Sequence, residues 1–128
     1  MTKEVLQIIR KAMNSLNLEY GFVEYKGNAE GKIVYPYFAG EYMETESTTE
    51  DGLQESTFIL TGFTRDSWET LEEAKEKIEK HFRKGKVGIT SNGTGVAIFY
   101  AHSSIIPTSD AELKSIQINL KIKEWKVI

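Results

Sequence analysis

The sequence has no cysteine, only two prolines and only two histidines. Without thiols the chain cannot form disulfides, which small exported proteins often need, so the composition favours a reducing cytoplasm. Metal sites need clustered Cys, His or carboxylate ligands, but His81 and His102 lie far apart in the sequence. We therefore expect both histidines to have structural or solvent-facing roles, and we predict no metal site.

Long apolar runs are also absent. No stretch approaches the roughly 20 residues that a membrane helix requires. Gln7 and Arg10 interrupt the apolar residues near the N-terminus, whereas a signal peptide has an unbroken apolar region. These observations predict a cytoplasmic protein with no membrane partner.

The chain lacks an excess of positive charge. It has 16 basic and 19 acidic residues, for a net charge of −3. Phosphate contacts supply most of the affinity for nucleic acids and require clustered Lys and Arg. The one basic cluster, residues 81–86, is interpreted as the end of a helix, so we predict no nucleic-acid partner.

Known catalytic patterns are missing as well. No nucleophile elbow is present, and Ser103 follows His102 directly, so the two side chains would point to opposite faces of a strand. The Gly-rich segment 27–32 departs from the P-loop spacing, and segment 91–95 has no helix after it to bind an anion. We predict no catalytic residues and no cofactor, and thus a protein that is not an enzyme.

Two helices stand out among what is present. Apolar residues recur at helical spacing from Val5 to Leu16 and again from Leu71 to Phe82, each opposite a charged face. Thr2 is the predicted N-cap of the first helix, and Asp66 or Ser67 that of the second. Thr70 and Glu73 offer a capping box one register later.

Strand patterns fill much of the remaining chain. We predict extended segments at 18–25, 33–40, 56–64, 86–90 and 96–102, a connection at 105–114, and a final alternating strand from Ile116. Pro36 lacks a backbone N–H, so it indicates an edge strand or a strand entry. The 128 residues suit a single domain, 1–128. The predicted fold is α+β, a mostly antiparallel sheet with both helices packed on one face.

One segment has a strong charge bias. Residues 41–55 hold six acidic residues and no basic one, which predicts an acidic hairpin or loop that faces a partner. It lacks the ligand spacing of a calcium-binding loop. The candidate interface residues are therefore acidic residues of this tract and three aromatic ones: Tyr35, Tyr37, Glu44, Glu46, Glu50, Asp51 and Trp68. For Trp68 the alternative is that it covers the edge of the core.

Taken in order, these elements resemble the tail-terminator or tail-completion proteins of long-tailed bacteriophages and prophages. The matching pieces are the N-terminal helix, a Tyr-Pro-Tyr segment, an acidic hairpin, a strand with Phe, a helix and a C-terminal strand: 5–16, 34–37, 41–55, 58–63, 68–82 and 116–125. The family has a small α+β fold and no catalytic residues. Residues 85–95 fit the pattern less closely.

The resemblance implies a structural protein of the phage tail. Copies would form a ring, commonly a hexamer, that caps the tail tube and joins it to the head, so the partners would be the tail tube and the head–tail connector proteins. The protein would be located in the bacterial host cytoplasm during assembly and in the virion tail afterwards. The residues alone leave an alternative open, a small binding or inhibitor module with an acidic docking loop.

Overall fold

The computed structural model describes residues 1–44 and 52–125. These residues form two helices and one six-stranded sheet, so the predicted α+β class is confirmed. The elements are α1 Lys3–Ser15, β1 Glu19–Phe22, β2 Tyr37–Glu44, β3 Leu53–Thr64, α2 Trp68–Phe82, β4 Lys86–Ile89, β5 Gly95–Ile106 and β6 Lys114–Trp125.

The strands lie in the order β1-β2-β3-β6-β5-β4. All neighbouring pairs are antiparallel except β1 and β2, which are parallel. The centre is the long ladder between β3 and β6, which runs from Leu53 opposite Trp125 to Thr64 opposite Lys114. The mostly antiparallel sheet is as predicted.

The core lies against one face of the central strands. Phe58 lies opposite Leu120, and Leu60 lies opposite Ile118. All four side chains are buried, because alternate residues of a strand point to the same side of the sheet. The buried side chains of both helices belong to the same cluster: Val5, Ile9, Ala12 and Met13 of α1, and Leu71, Ala74, Ile78 and Phe82 of α2. We call this side of the sheet the core face and the other side the polar face.

Several predicted boundaries were wrong. Strand β2 begins at Tyr37, directly after a cis Tyr35–Pro36 bond, so the strand entry predicted at Pro36 is confirmed, while the extended segment from residue 33 is not part of the strand. Two strands also extend into the acidic tract: β2 continues to Glu44, and β3 begins at Leu53. Each of them pairs there with a neighbouring strand. Strand β5 likewise continues to Ile106, opposite β6, where we expected a connection. Backbone pairing can carry a strand through polar residues whose side chains predict a loop.

The helix caps follow the sequence only in part. Thr2 and Ser67 occupy the N-cap positions with extended backbones, but neither side chain makes a capping hydrogen bond. Helix α2 starts at Trp68, so Thr70 and Glu73 lie inside its first turns instead of forming a capping box. Gly85 has the positive φ of +80° that a helix end favours.

Candidate protein-binding surfaces

The polar face carries a shallow groove of about 710 Å³ across β3, β5 and β6. Its lining combines apolar surface with the polar side chains of Thr57, His102, Gln117, Asn119 and Lys121. Strand alternation places these side chains opposite the core residues. The groove is therefore a broad, open surface suited to contact with a macromolecule.

Weak ion pairs and hydrogen bonds cross this groove. The Glu55 carboxylate lies 3.2 Å from Lys121 Nζ and 4.0 Å from Lys123 Nζ, in a partly exposed setting where such pairs contribute little. His102 Nδ1 lies 3.2 Å from Asn119 Nδ2, at a bulge in β5. Ser103 lies opposite Ile118 on the core face, so His102 and Ser103 point apart, as adjacent strand residues do.

Two predicted interface residues, Tyr35 and Tyr37, lie in a half-buried aromatic cluster. The Tyr37 ring centre is 4.6 Å from that of Tyr25, 5.7 Å from that of Tyr35 and 5.3 Å from that of Phe63. Burial is the main cause that raises the pKa of Tyr37 and of Tyr25, so both phenols stay neutral at physiological pH. The cluster thus offers uncharged hydroxyl groups on a stacked apolar base.

An ion pair accompanies this cluster. Arg65 Nη1 donates to Asp110 Oδ2 at 3.0 Å, and hydrogen bonds to Tyr35 and Asp110 raise the pKa of Arg65. Sequence reasoning did not select Tyr25, Phe63, Arg65 or Asp110, because their proximity depends on the parallel β1–β2 pair and on the β5–β6 connection. Only the abundance of tyrosine between residues 20 and 42 points to the cluster in the sequence.

Trp68 is the first residue of α2, and 45% of its surface is exposed. It borders a cleft of about 170 Å³ with Leu71, Ile105 and Ile116. Leu71 and Ile116 belong to the buried core, whereas Ile105 is exposed. Trp68 therefore covers the core edge and also presents an apolar surface to solvent.

The described parts of the acidic tract lie at the end of β2 and at the start of β3. Glu41 and Glu44 are exposed, and Met43 between them is 68% exposed. The Glu44 carboxylate forms an ion pair with the Met1 amino group. The other predicted acidic interface residues, Glu46, Glu50 and Asp51, lie outside the described residues.

Strand β4 forms the opposite edge of the sheet. Its two large apolar side chains are almost fully exposed, Val87 by 81% and Ile89 by 80%. Sequence reasoning predicted a strand here but did not select these residues, because an alternating pattern cannot reveal that a strand is the last in its sheet. Lys84 and Lys86 make this edge basic.

Within residues 1–44 and 52–125, no group of three or more His, Asp or Glu side chains could hold a metal ion. In the same residues no helix is long and apolar enough to cross a membrane.

No protein-family model matches this chain, and no curated protein matches it. Eleven chains of solved structures do match. One of them has a TM-score of 0.69 and 13% sequence identity, and the alignment covers 100% of this chain and 99% of that chain. The name of that protein states no function, and at this identity the likeness shows a common fold alone.

Proposed function

We propose that this protein is a structural component of phage tail assembly that works through its surfaces and not by catalysis. Copies form a closed ring that caps the tail tube and joins it to the head. Its partners are then further copies of itself, the tail tube protein and the head–tail connector proteins. The ring assembles in the host cytoplasm and remains in the virion tail.

The observation that carries this proposal is the exposed edge strand β4. Val87 and Ile89 are 81% and 80% exposed on a strand that, among residues 1–44 and 52–125, is the last in its sheet. A free strand edge pairs readily with other chains, and Lys86 at the start of β4 leaves both apolar side chains uncovered. An apolar edge is what a protein that completes its sheet against a neighbour requires.

The proposal takes both helices to lie on the core face, since their buried side chains share one cluster with that face. The polar face, with its groove of about 710 Å³, then remains available to the tube or to a connector protein. Its Thr, Asn, Gln and Lys side chains suit a wet interface that forms during assembly.

The absolute mass of the purified protein tests the proposal. We expect light scattering behind a sizing column, over a range of concentration and salt, to give an integral multiple of the chain mass, and electron microscopy to show closed rings. Rings that form only on tube ends would appear when tail tubes are added. A strict monomer under both conditions contradicts the proposal.

The second candidate is a small binding or inhibitor module, favoured by the exposed Glu41 and Glu44 of the acidic tract. It predicts a monomer that binds a basic protein surface, with affinity that falls steeply as salt is added. The same sizing experiment separates it from the ring.

A further inference from the structure

The sheet ends in two open segments of equal length. Among residues 1–44 and 52–125, strand β4, Lys86–Ile89, is last in the sheet and pairs only with β5. At the other end, β1 pairs with residues 37–40 of β2 and with none beyond them. Residues 41–44 of β2 therefore have no strand beside them on that side within the described part of the chain.

Backbone hydrogen-bonding groups point outward at both segments. The Val23 N–H donates to the Gly40 carbonyl at 2.7 Å, so Tyr42, two residues further along β2, directs its own backbone groups to that same side. In the β4–β5 hairpin, the Thr90 N–H donates to the Thr94 carbonyl at 2.8 Å. The backbone N–H and C=O groups of Thr90 thus point towards β5. Because these groups alternate along a strand, those of Val87 and Ile89 point away from β5, to the open side.

The two segments also run in the same direction. Four antiparallel pairings lead from β2 through β3, β6 and β5 to β4, so β2 and β4 are parallel. A second copy that continues the sheet with the same face outward therefore brings its β4 alongside β2 as a parallel strand. This added strand would lie beside residues 41–44 of β2, in line with β1. That position is open because the chain turns away from β2 at Val23, which has a φ of +69°.

Apolar side chains meet on one face in this arrangement. Met43 lies opposite Thr57, and Val87 lies opposite Ala97, so both belong to the polar face. Val87, Ile89 and Met43 are 81%, 80% and 68% exposed. A parallel contact would bury these three side chains together, and the removal of their apolar surface from water would stabilise the contact.

Charge selects the head-to-tail contact over the symmetric ones. Lys84 and Lys86 flank β4, whereas Glu41 and Glu44 flank Met43. A β4–β4 contact would bring together the lysines of both copies with no acidic residue among these positions, and a contact between two 41–44 segments would bring together only glutamates. Only the contact between unlike segments brings opposite charges together.

We infer that copies of this protein join head to tail, with β4 of one copy added as a parallel strand to residues 41–44 of β2 of the next. The inference rests on the proposed ring and specifies its contact. A contact between two different surfaces repeats around a ring whenever the rotation per copy closes. Backbone hydrogen bonds supply affinity, and the apolar and charged side chains set the register.

Disulfide trapping tests this contact directly, because the natural chain has no cysteine. The Met43→Cys variant is mixed under mild oxidation either with Val87→Cys or with Ile89→Cys. The two mixtures test two registers of the contact, with Val87 or with Ile89 beside Met43. Side chains at one level of adjacent strands lie within disulfide range. We expect a covalent dimer in one of the two mixtures and none from any single variant alone. Met43→Cys mixed with Glu76→Cys, on the exposed face of α2, is the control and should not cross-link.

Charge reversal gives a second readout. Lys86 lies opposite Ile98 and Glu44 lies opposite Ser56, so both side chains point to the core face. Lys86→Glu or Glu44→Lys should therefore weaken self-association about tenfold, and the double variant should recover most of it. Circular dichroism confirms that each variant folds. Rings without the disulfide and without charge rescue would overturn the strand contact while the proposed function stands. The disulfide in open chains that never close would support the contact and overturn the ring, and a monomer that never cross-links would overturn both.

Discussion

Two glycines in the central strands make room for aromatic rings of the core. A Cβ added at Gly62 would overlap the ring of Phe38, and one added at Gly40 would lie 2.7 Å from Phe58 Cε1. Both rings are fully buried, so they cannot move aside without disturbing the packing around them. The missing side chains are therefore a packing requirement of this sheet.

Gly62→Ala should destabilise the protein by about 1–3 kcal/mol, because the new methyl group overpacks the core against Phe38. Gly88→Ala is the matched control, since no atom lies within 4 Å of its added Cβ. Urea unfolding followed by circular dichroism measures both free energies of unfolding. Equal effects of the two substitutions would show that Phe38 does not pack on Gly62.

At the scale of elements, the C-terminal end of α2 is unusually basic. Arg83 Nη2 lies 3.0 Å from Glu79 Oε2, one helical turn earlier. The His81 ring packs edge-on against Phe82 at 4.7 Å between ring centres. Burial, and to a smaller extent the charge of Lys86, lowers the pKa of His81 below its ordinary value of 6.5.

This lowered pKa predicts a pH-dependent stability. The folded protein binds a proton at His81 less readily than the unfolded chain, so the contribution of His81 is complete above 6.5 and is lost as the pH falls through that value towards the lower pKa of the folded state. Between about pH 7 and about pH 5, the natural protein should lose more stability than His81→Gln.

Urea unfolding at several pH values measures this difference. Lys86→Gln, which keeps His81 but removes its charged neighbour, should reduce the pH dependence without abolishing it, because burial is the larger cause. Parallel pH profiles for the natural protein and His81→Gln would contradict the assignment.

At the scale of the whole molecule, opposite charges gather at opposite ends of the sheet. Glu41 and Glu44 lie in β2, near one edge, whereas Lys84 and Lys86 lie at the start of β4, at the other. Such a separation does little for the fold, because exposed charges at this distance are screened by salt. It can direct how molecules meet.

Replacement of Glu44, Glu46, Glu50 and Asp51 by serine should leave the fold intact and impair assembly. Three of the four lie outside the described residues, and the fourth, Glu44, is exposed. Circular dichroism should be unchanged, whereas light scattering should show a smaller mass at equal concentration. Loss of folding would mean that the acidic tract contributes to the core, and unchanged assembly would mean that it faces no partner.

The elements with a regular periodicity of apolar residues could be predicted from the sequence. Helical spacing marked Leu71, Ala74, Ile78 and Phe82, and all four are buried. Alternation marked Ile116 to Ile122 as a strand, and β6 confirms the strand and its buried apolar face; the other face is only partly exposed, because Asn119 is buried as well. Such patterns show which side of a helix or strand packs on the core, because each position on that side is occupied by an apolar residue.

Only the tertiary structure decided which segments become neighbours and which edges stay open. Strand pairing carried β2 and β3 into the acidic tract, and the parallel β1–β2 pair accompanies the stacking of Tyr25 on Tyr37. The exposed edge of β4 follows from its last place in the sheet. These features depend on backbone hydrogen bonds between distant segments, which leave little trace in the side chains, so no local pattern in the sequence could reveal them.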